Sequence, residues 1–187
     1  SQLIAAQRAN PEVIVLFGNP PEAAIALKQA RDLGLKQPIF VGSAIVDPGV
    51  IAASKGAAEG VKGFAAIPML PGSKHPDMQK WEAAWRREYP NAPAGRPSVF
   101  DAMVYADAYV VAEGLRRAGP QPTPESFIRG LEGLQNYRVG PIATPRSFTA
   151  RHHIGNLTLS PVEVRSGSWE PVQWSSTHPT EILKRYE

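Results

Sequence analysis

Residues 12–42, EVIVLFGNPPEAAIALKQARDLGLKQPIFVG, constrain the fold more than any other part of the chain. Residues 13–17 form a short, continuous apolar run, which is typical of a parallel strand covered on both faces. A helical stripe of apolar residues follows, then Gly34 provides a left-handed stop and residues 38–41 open a second strand. The segment therefore predicts a βαβ unit, whose loop at the carboxyl end of the first strand lies where open α/β sheets bind ligands.

The first helix of this unit begins with a capping signal. Asn19 is a preferred N-cap residue, Pro20 suits the first helical position, and Glu22 has the spacing of the acidic member of a capping box. We therefore expect the Asn19 side chain to cap this helix.

The strands of the first third are all of the parallel type. They are predicted at residues 13–17, 38–41 and 61–67, with helices before, between and after them, including one at residues 48–55. Three strands make a small sheet compared with the usual five or six. We therefore expect that the chain is a fragment, or that its sheet is completed by another segment.

The second part of the chain changes to helices and then to a β hairpin. Helices are predicted at residues 75–89, from Ser98 onward and at 123–134. The hairpin is predicted from an alternating strand at residues 156–160 and a partner strand at residues 169–174. The fold class expected is α/β, with a parallel sheet flanked by helices.

Composition excludes several classes of function. The 187 residues include no cysteine, which excludes disulfides, thiolate metal sites and cysteine nucleophiles. The net charge of +3 comes from basic residues near helix ends rather than from a basic, aromatic face, so we expect no nucleic acid partner. No apolar run is long enough to span a membrane, and the start carries no signal segment, so we expect any signal peptide to lie outside this chain.

Catalytic and metal sites are poorly supported. The chain has no Gly-x-Ser-x-Gly elbow, and its four histidines, His75, His152, His153 and His178, lie in polar or turn-like contexts without metal-ligand spacing. It also has no phosphate-binding glycine motif. We therefore expect no catalytic residue, metal or cofactor. A small α/β enzyme that uses Asp101 or a histidine as a base is an alternative hypothesis.

Recognition of a small molecule fits the sequence better. Asn19 and Ser43 each follow a predicted strand end, so both should line the same crevice, where helix starts favour anionic or carbonyl oxygens. The alternative is that Asn19 only caps its helix and Ser43 only stabilises a turn. By residue type alone, Phe100 is a core anchor and Asp101 a capping-box residue.

An ordered series of segments carries a family resemblance. VIVLFG at 13–18, QARDLGL at 29–35, FDAMVYADA at 100–108 and YRVGPI at 137–142 resemble the extracytoplasmic solute-binding receptors of ABC transporters. The branched-chain amino acid (Leu/Ile/Val-binding) type, a type I periplasmic binding protein, is the most similar. The resemblance extends over essentially the whole chain, but it corresponds only to the C-terminal half of such a receptor.

The resemblance implies two α/β lobes that close on a ligand held between them. Residues 1–70 and 144–187 would belong to the C-terminal lobe, and residues 71–143 would complete the N-terminal lobe. It also implies a periplasmic or extracytoplasmic location, an ABC transporter permease as partner and no catalysis. A ligand-sensing regulatory domain of the same architecture is the alternative.

The resemblance also implies a ligand-binding set of Asn19, Ser43, Ala44, Phe100 and Asp101. Asn19 matches a position that is often aromatic or polar, and Phe100 matches an aromatic contact beside the hinge. Ala44 stands where amino acid binders place an acid that holds the ligand's ammonium group. Because alanine cannot do that, a carboxylate, an aromatic acid or an amide is as plausible a ligand as an amino acid.

Overall fold

The structure is a computed structural model that describes residues 2–93, 96–155 and 158–172. The elements in chain order are α1 (Gln2–Ala9), β1 (Ile14–Leu16), α2 (Pro20–Asp32), β2 (Ile39–Val41), a 3-10 turn (Ser43–Ile45), α3 (Pro48–Ser54), β3 (Lys62–Ala65), α4 (Pro76–Glu88), α5 (Val99–Ala118), α6 (Pro124–Glu132), β4 (Ser160–Arg165) and β5 (Ser168–Pro171).

One mixed sheet joins the two ends of the described chain. Its strand order is β1-β2-β3-β4-β5, with β1, β2 and β3 parallel and the last two strands antiparallel. The predicted α/β class and the βαβ unit are confirmed. The three parallel strands are extended by the chain's own terminal hairpin, which pairs with β3 through Gly63 and Val162.

The hairpin begins later than the sequence pattern predicts. The first strand runs over Ser160–Arg165 rather than residues 156–160, because Val162 and Val164 are the residues that alternate into the core. The turn between the two strands contains Ser166, whose N–H donates to the Glu59 carboxylate at 2.9 Å. Residues 156–157 and the end of the predicted partner strand, residues 173–174, lie outside the described residues.

The described helices cover one face of β1. Ile14 and Leu16 pack against the main core, whereas Val15, on the opposite face, is 59% exposed. The expectation that this strand is covered on both faces is therefore wrong for the described part of the chain. An apolar run can belong to a strand with one open face, because the sequence pattern reports apolarity and not what packs against it.

A buried carboxylate links three elements of the fold. Asp47 is the N-cap of α3, where its Oδ1 accepts the Gly49 N–H at 2.7 Å. Its Oδ2 accepts the N–H of Val99, the first residue of α5, at 2.8 Å. The Asp47 carbonyl accepts the Nε1–H of Trp169 at 3.2 Å. Asp47 therefore connects α3, α5 and β5, a role that the sequence pattern did not predict.

A second, smaller core lies between α5 and the segment that follows α6. Gly114 of α5 and Gly130 of α6 approach so closely that a Cβ on Gly130 would lie 2.8 Å from the Gly114 carbonyl oxygen. The fully or largely buried members of this core are Ala106, Val110, Leu134 and Val139.

The end of α5 is held to α6 by an ion-pair cluster. Glu113 accepts hydrogen bonds from Arg116 Nε and Arg117 Nε, each at 2.7 Å, and Arg117 Nη1 donates to the Gly133 carbonyl at 2.8 Å. The hydrogen bonds from Arg116 and then Arg117 lower the pKa of Glu113 from 4.5 to about 2. The carboxylate therefore stays charged in mildly acidic solution.

This shift predicts a pH dependence of stability. Because the pKa of Glu113 is lower in the folded state, its contribution is present above pH 4.5 and is lost as the pH falls from 4.5 toward 2. We expect the difference in Tm between the wild type and Glu113→Gln to shrink across that window. Thermal unfolding of both proteins between pH 2 and pH 7 measures it, and a constant difference would contradict the prediction.

Candidate functional site

The carboxyl ends of β1 and β2 lie side by side at one edge of the sheet. The two strands are parallel neighbours, Leu16 pairs with Val41, and the Gly42 N–H donates to the Leu16 carbonyl at 3.2 Å. Asn19 lies three residues after the end of β1, and Ser43 lies two residues after the end of β2. The structure thus brings both predicted residues to the sheet edge where α/β proteins bind ligands.

Asn19 occupies the N-cap position of α2 without using its side chain as a cap. Its backbone is extended and its carbonyl accepts the Ala23 N–H at 3.0 Å, but its amide makes no capping hydrogen bond. The prediction of side-chain capping is therefore wrong. An N-cap side chain bonds the N–H of the second or third helical residue. Pro21, the second, has none, and the Asn19 amide does not bond the N–H of Glu22, the third. The exposed amide is available to another partner.

The same prolines weaken the expected attraction of the α2 start for anions. Pro20 and Pro21 carry no N–H, so Glu22 is the first helical residue that has one, and its own carboxylate is negative. The first two positions of α2 therefore offer no backbone donors at this point of the edge.

Ser43 opens the 3-10 turn that follows β2. The turn is held by backbone hydrogen bonds, from Ile45 N–H to the Gly42 carbonyl at 2.9 Å and from Val46 N–H to the Ser43 carbonyl at 3.2 Å. The Ser43 side chain is exposed, and the hydrogen bonds of the described residues do not use its hydroxyl. The next residue, Ala44, is half-buried. A role of the Ser43 hydroxyl in stabilising the turn is therefore not observed.

Asp101 is engaged within the protein. Its Oδ2 accepts hydrogen bonds from Ser98 N at 2.6 Å and Ser98 Oγ at 2.8 Å, and its Oδ1 accepts one from Arg96 Nη2 at 2.7 Å. The Asp101 N–H donates to Ser98 Oγ, which completes the predicted capping box. Both carboxylate oxygens thus have intramolecular partners, and a ligand contact of Asp101 stays a prediction.

Phe100 lines an aromatic groove between α4 and the start of α5. The groove has a volume of about 1040 Å³, and its walls include Trp81, Trp85, Tyr89, Val104 and Tyr105. Burial, and then a hydrogen bond with Tyr109, raise the pKa of Tyr105 to about 12, so this phenol is neutral at physiological pH. Phe100 is 44% exposed, and its role as a ligand contact stays a prediction.

The two groups of predicted site residues are connected through Asp47. Asp47 closely follows Ser43 and Ala44 in the chain, and its carboxylate holds the N–H of Val99, which precedes Phe100. The start of α5 is thereby attached to the segment that carries the sheet-edge residues. No sequence signal marked this contact, because its partners are 52 residues apart.

Two of the three histidines in the described ranges have local side-chain partners. His75 Nδ1 accepts the Asp77 N–H at 3.3 Å, and His153 Nε2 lies 3.0 Å from Glu132 Oε1. His178 lies outside the described residues. Within the described ranges, no three His, Asp or Glu side chains are grouped as metal ligands. No described helix is both long and apolar enough to cross a membrane.

A family model described as "Periplasmic binding protein" matches residues 1–168 of the chain. The chain is also similar in fold to a branched-chain amino acid ABC transporter from Thermus thermophilus with bound valine. The TM-score is 0.76 and the identity 22%, over 98% of this chain and 51% of that one. No curated protein sequence matches the chain.

Two further solved structures show the same fold. A fatty acid ABC transporter substrate-binding protein from Thermomonospora curvata has a TM-score of 0.74 and 23% identity, over 96% of this chain and 47% of that one. A solute-binding protein from R. palustris in complex with benzoate has a TM-score of 0.68 and 17% identity, over 91% and 45%. The chain thus spans about half the length of the structures it matches.

Proposed function

The chain belongs to the periplasmic binding protein family, and from this premise we propose that it forms part of a receptor for ABC-transporter-mediated uptake. The receptor binds a small organic molecule between two lobes in the periplasmic or extracytoplasmic space and delivers it to a membrane permease. It performs no chemistry. Its action consists of a difference in ligand affinity between an open and a closed state.

One observation carries this proposal. Asn19 and Ser43 lie at the carboxyl ends of two adjacent parallel strands, and the hydrogen bonds of the described residues leave the Asn19 amide and the Ser43 hydroxyl unused. An exposed amide and an exposed hydroxyl at this edge are suited to orient the polar group of a ligand.

The ligand class follows from the charge of the three residues that we propose as ligand contacts at this edge. Asn19, Ser43 and Ala44 are neutral, so these residues offer no carboxylate to an ammonium group and no cation to a carboxylate. Neutral hydrogen-bonding groups accept an amino acid, a carboxylate or an amide without a preference based on charge. The range is consistent with fold relatives whose names or complexes include valine, benzoate and fatty acids.

We propose two lobes that the cores reflect only in part, because the main core also includes Met78, Trp81 and Val99 from residues 71–143. All five strands lie within residues 1–70 and 144–187, which we assign to the C-terminal lobe, although residues 173–187 are outside the described ranges. The buried members of the second core all lie within residues 71–143, which we assign to the N-terminal lobe. The Asp47–Val99 hydrogen bond would then cross between the lobes.

A thermal-shift panel tests the function. For the protein in its full natural length, a cognate ligand at 100 times its Kd is expected to stabilise the folded state by about 2.7 kcal/mol, which raises Tm by several degrees. The panel contains L-valine, L-leucine, benzoate and octanoate. Absence of any shift across this panel would count against a receptor for small organic acids and amino acids.

Substitution of Asn19 tests the site. Asn19→Ala is expected to weaken ligand binding about tenfold, since it removes one hydrogen-bonding group from the ligand. Gln29→Ala is the matched control, because Gln29 is an exposed amide side chain on the same helix but away from the sheet edge. Isothermal titration calorimetry measures both. If Asn19→Ala and Gln29→Ala bound the ligand with equal affinity, Asn19 would not be a ligand contact.

The role in transport is tested in cells. Deletion of the gene is expected to abolish uptake of the radiolabelled ligand. Unchanged uptake accompanied by altered gene expression would identify the regulatory sensor instead.

A further inference from the structure

Phe17 is the most exposed large apolar side chain of the described residues, at 80%. It follows β1 directly and stands opposite Gly42, because the strand register pairs Leu16 with Val41. Exposure of apolar side chains on this face of β1 increases toward the ligand edge, from 59% at Val15 to 80% at Phe17. A phenyl ring is thus presented at the edge that carries Asn19 and Ser43.

Gly42 leaves the space that this ring occupies. A Cβ built on Gly42 would lie 2.8 Å from Cδ1 and 2.9 Å from Cε1 of Phe17, closer than real Cβ contacts. The φ angle of Gly42 is −67°, a conformation that any L-residue adopts. Glycine at position 42 therefore leaves space for the Phe17 ring and is not required by the backbone conformation.

We propose that Phe17 is a specificity-determining contact that forms an apolar wall for a planar ligand. The inference rests on the proposed function and narrows its ligand class. The ligand is a carboxylate or an amide with an aromatic or other planar body, whose polar group bonds Asn19 and Ser43. The Phe17 ring favours an aromatic ligand over an aliphatic one, because a pair of aromatic rings gains interaction energy beyond that from the apolar area it buries.

The experiment compares aromatic with aliphatic ligands. Calorimetry on the protein in its full natural length measures binding of benzoate and phenylacetate against L-valine and L-leucine. Phe17→Ala is expected to weaken the binding of the aromatic acids about tenfold. Val15→Ala is the matched control, because Val15 is exposed on the same face of β1 but farther from the edge. It is expected to change affinity less than twofold.

Gly42→Ala provides a second, independent variant. Its added methyl group must displace the Phe17 ring without straining the backbone, so the affinity for the aromatic acids should fall while Tm without ligand is kept. This variant tests the position of the ring, whereas Phe17→Ala tests its presence.

Several outcomes would overturn the inference. The first is an unchanged affinity of Phe17→Ala for the aromatic acids. The second is an equal loss of affinity for all four ligands together with a lower Tm. The third is a wild-type protein that binds the aliphatic ligands but not the aromatic ones. A wild type that binds none of the four probes would refute the proposed function together with this inference. A wild type that binds aromatic acids regardless of residue 17 would refute the inference alone.

Discussion

Asp47→Ala is expected to lower the free energy of unfolding by about 3 kcal/mol, the sum of a lost helix cap and a buried N–H left without a partner. The Asp47 carboxylate accepts the N–H groups of Gly49 and Val99, at the starts of α3 and α5. It is 4% exposed, so water does not readily replace the lost acceptor. Both helix starts lose their acceptor in one substitution, which makes the effect large.

Two further variants define the cause. Asp47→Asn keeps one acceptor oxygen and should lose less stability than the alanine variant. Asp32→Ala is the control for removal of an acidic residue, since Asp32 is an exposed residue at the end of α2, and should change stability by less than about 0.5 kcal/mol. Urea unfolding at pH 7 measures all three. An alanine variant as stable as the wild type would show that the link is not important for stability.

Gly130→Val is expected to destabilise the protein by about 3 kcal/mol through overpacking at the crossing of α5 and α6. The nearest atom to an added Cβ is the Gly114 carbonyl oxygen at 2.8 Å, and the next is Arg117 Cβ at 3.1 Å. A backbone carbonyl cannot rotate away as the end of a side chain can. The two helices would have to separate, and the contacts of the second core would weaken.

Gly133→Ala is the matched control at the same crossing. Its added Cβ would meet Arg117 Nη1 at 3.1 Å, which is the far end of a flexible side chain. Gly133 has a regular right-handed conformation, so alanine introduces no backbone strain. This variant should stay within about 1 kcal/mol of the wild type. If both variants behaved alike in urea unfolding, close approach of the helices would not be the cause.

Local sequence signals predicted most helices and strands. The start of α5 is an example, since Ser98 and Asp101 form the predicted capping box with hydrogen bonds between residues three apart. The parallel strands β1 and β2 were predicted from apolar runs and their bounding turns. These signals depend on residues that are only a few positions apart in the sequence.

Predictions failed where a local signal competed with another local feature or needed a distant partner. The Asn19 side chain does not cap α2, although the residue types alone favoured a cap. Pro21 removes one of the two N–H groups that a cap can bond, and the amide leaves the other, that of Glu22, unused. The hairpin starts later than its alternation indicated, because pairing of Gly63 with Val162 determines which residues face the core. Within the described residues, the second face of β1 is open although its residues are apolar throughout.

The sequence by itself determined the α/β class, the βαβ unit and the sheet edge at which Asn19 and Ser43 lie, because capping, periodicity and strand direction are local properties. Only the tertiary structure decided that the β4-β5 hairpin extends the parallel strands and that Phe17 rests over Gly42. It also decided that Asp47 joins α3, α5 and β5, through partners 52 and 122 residues apart. Such contacts depend on how distant segments pack, which no local pattern specifies.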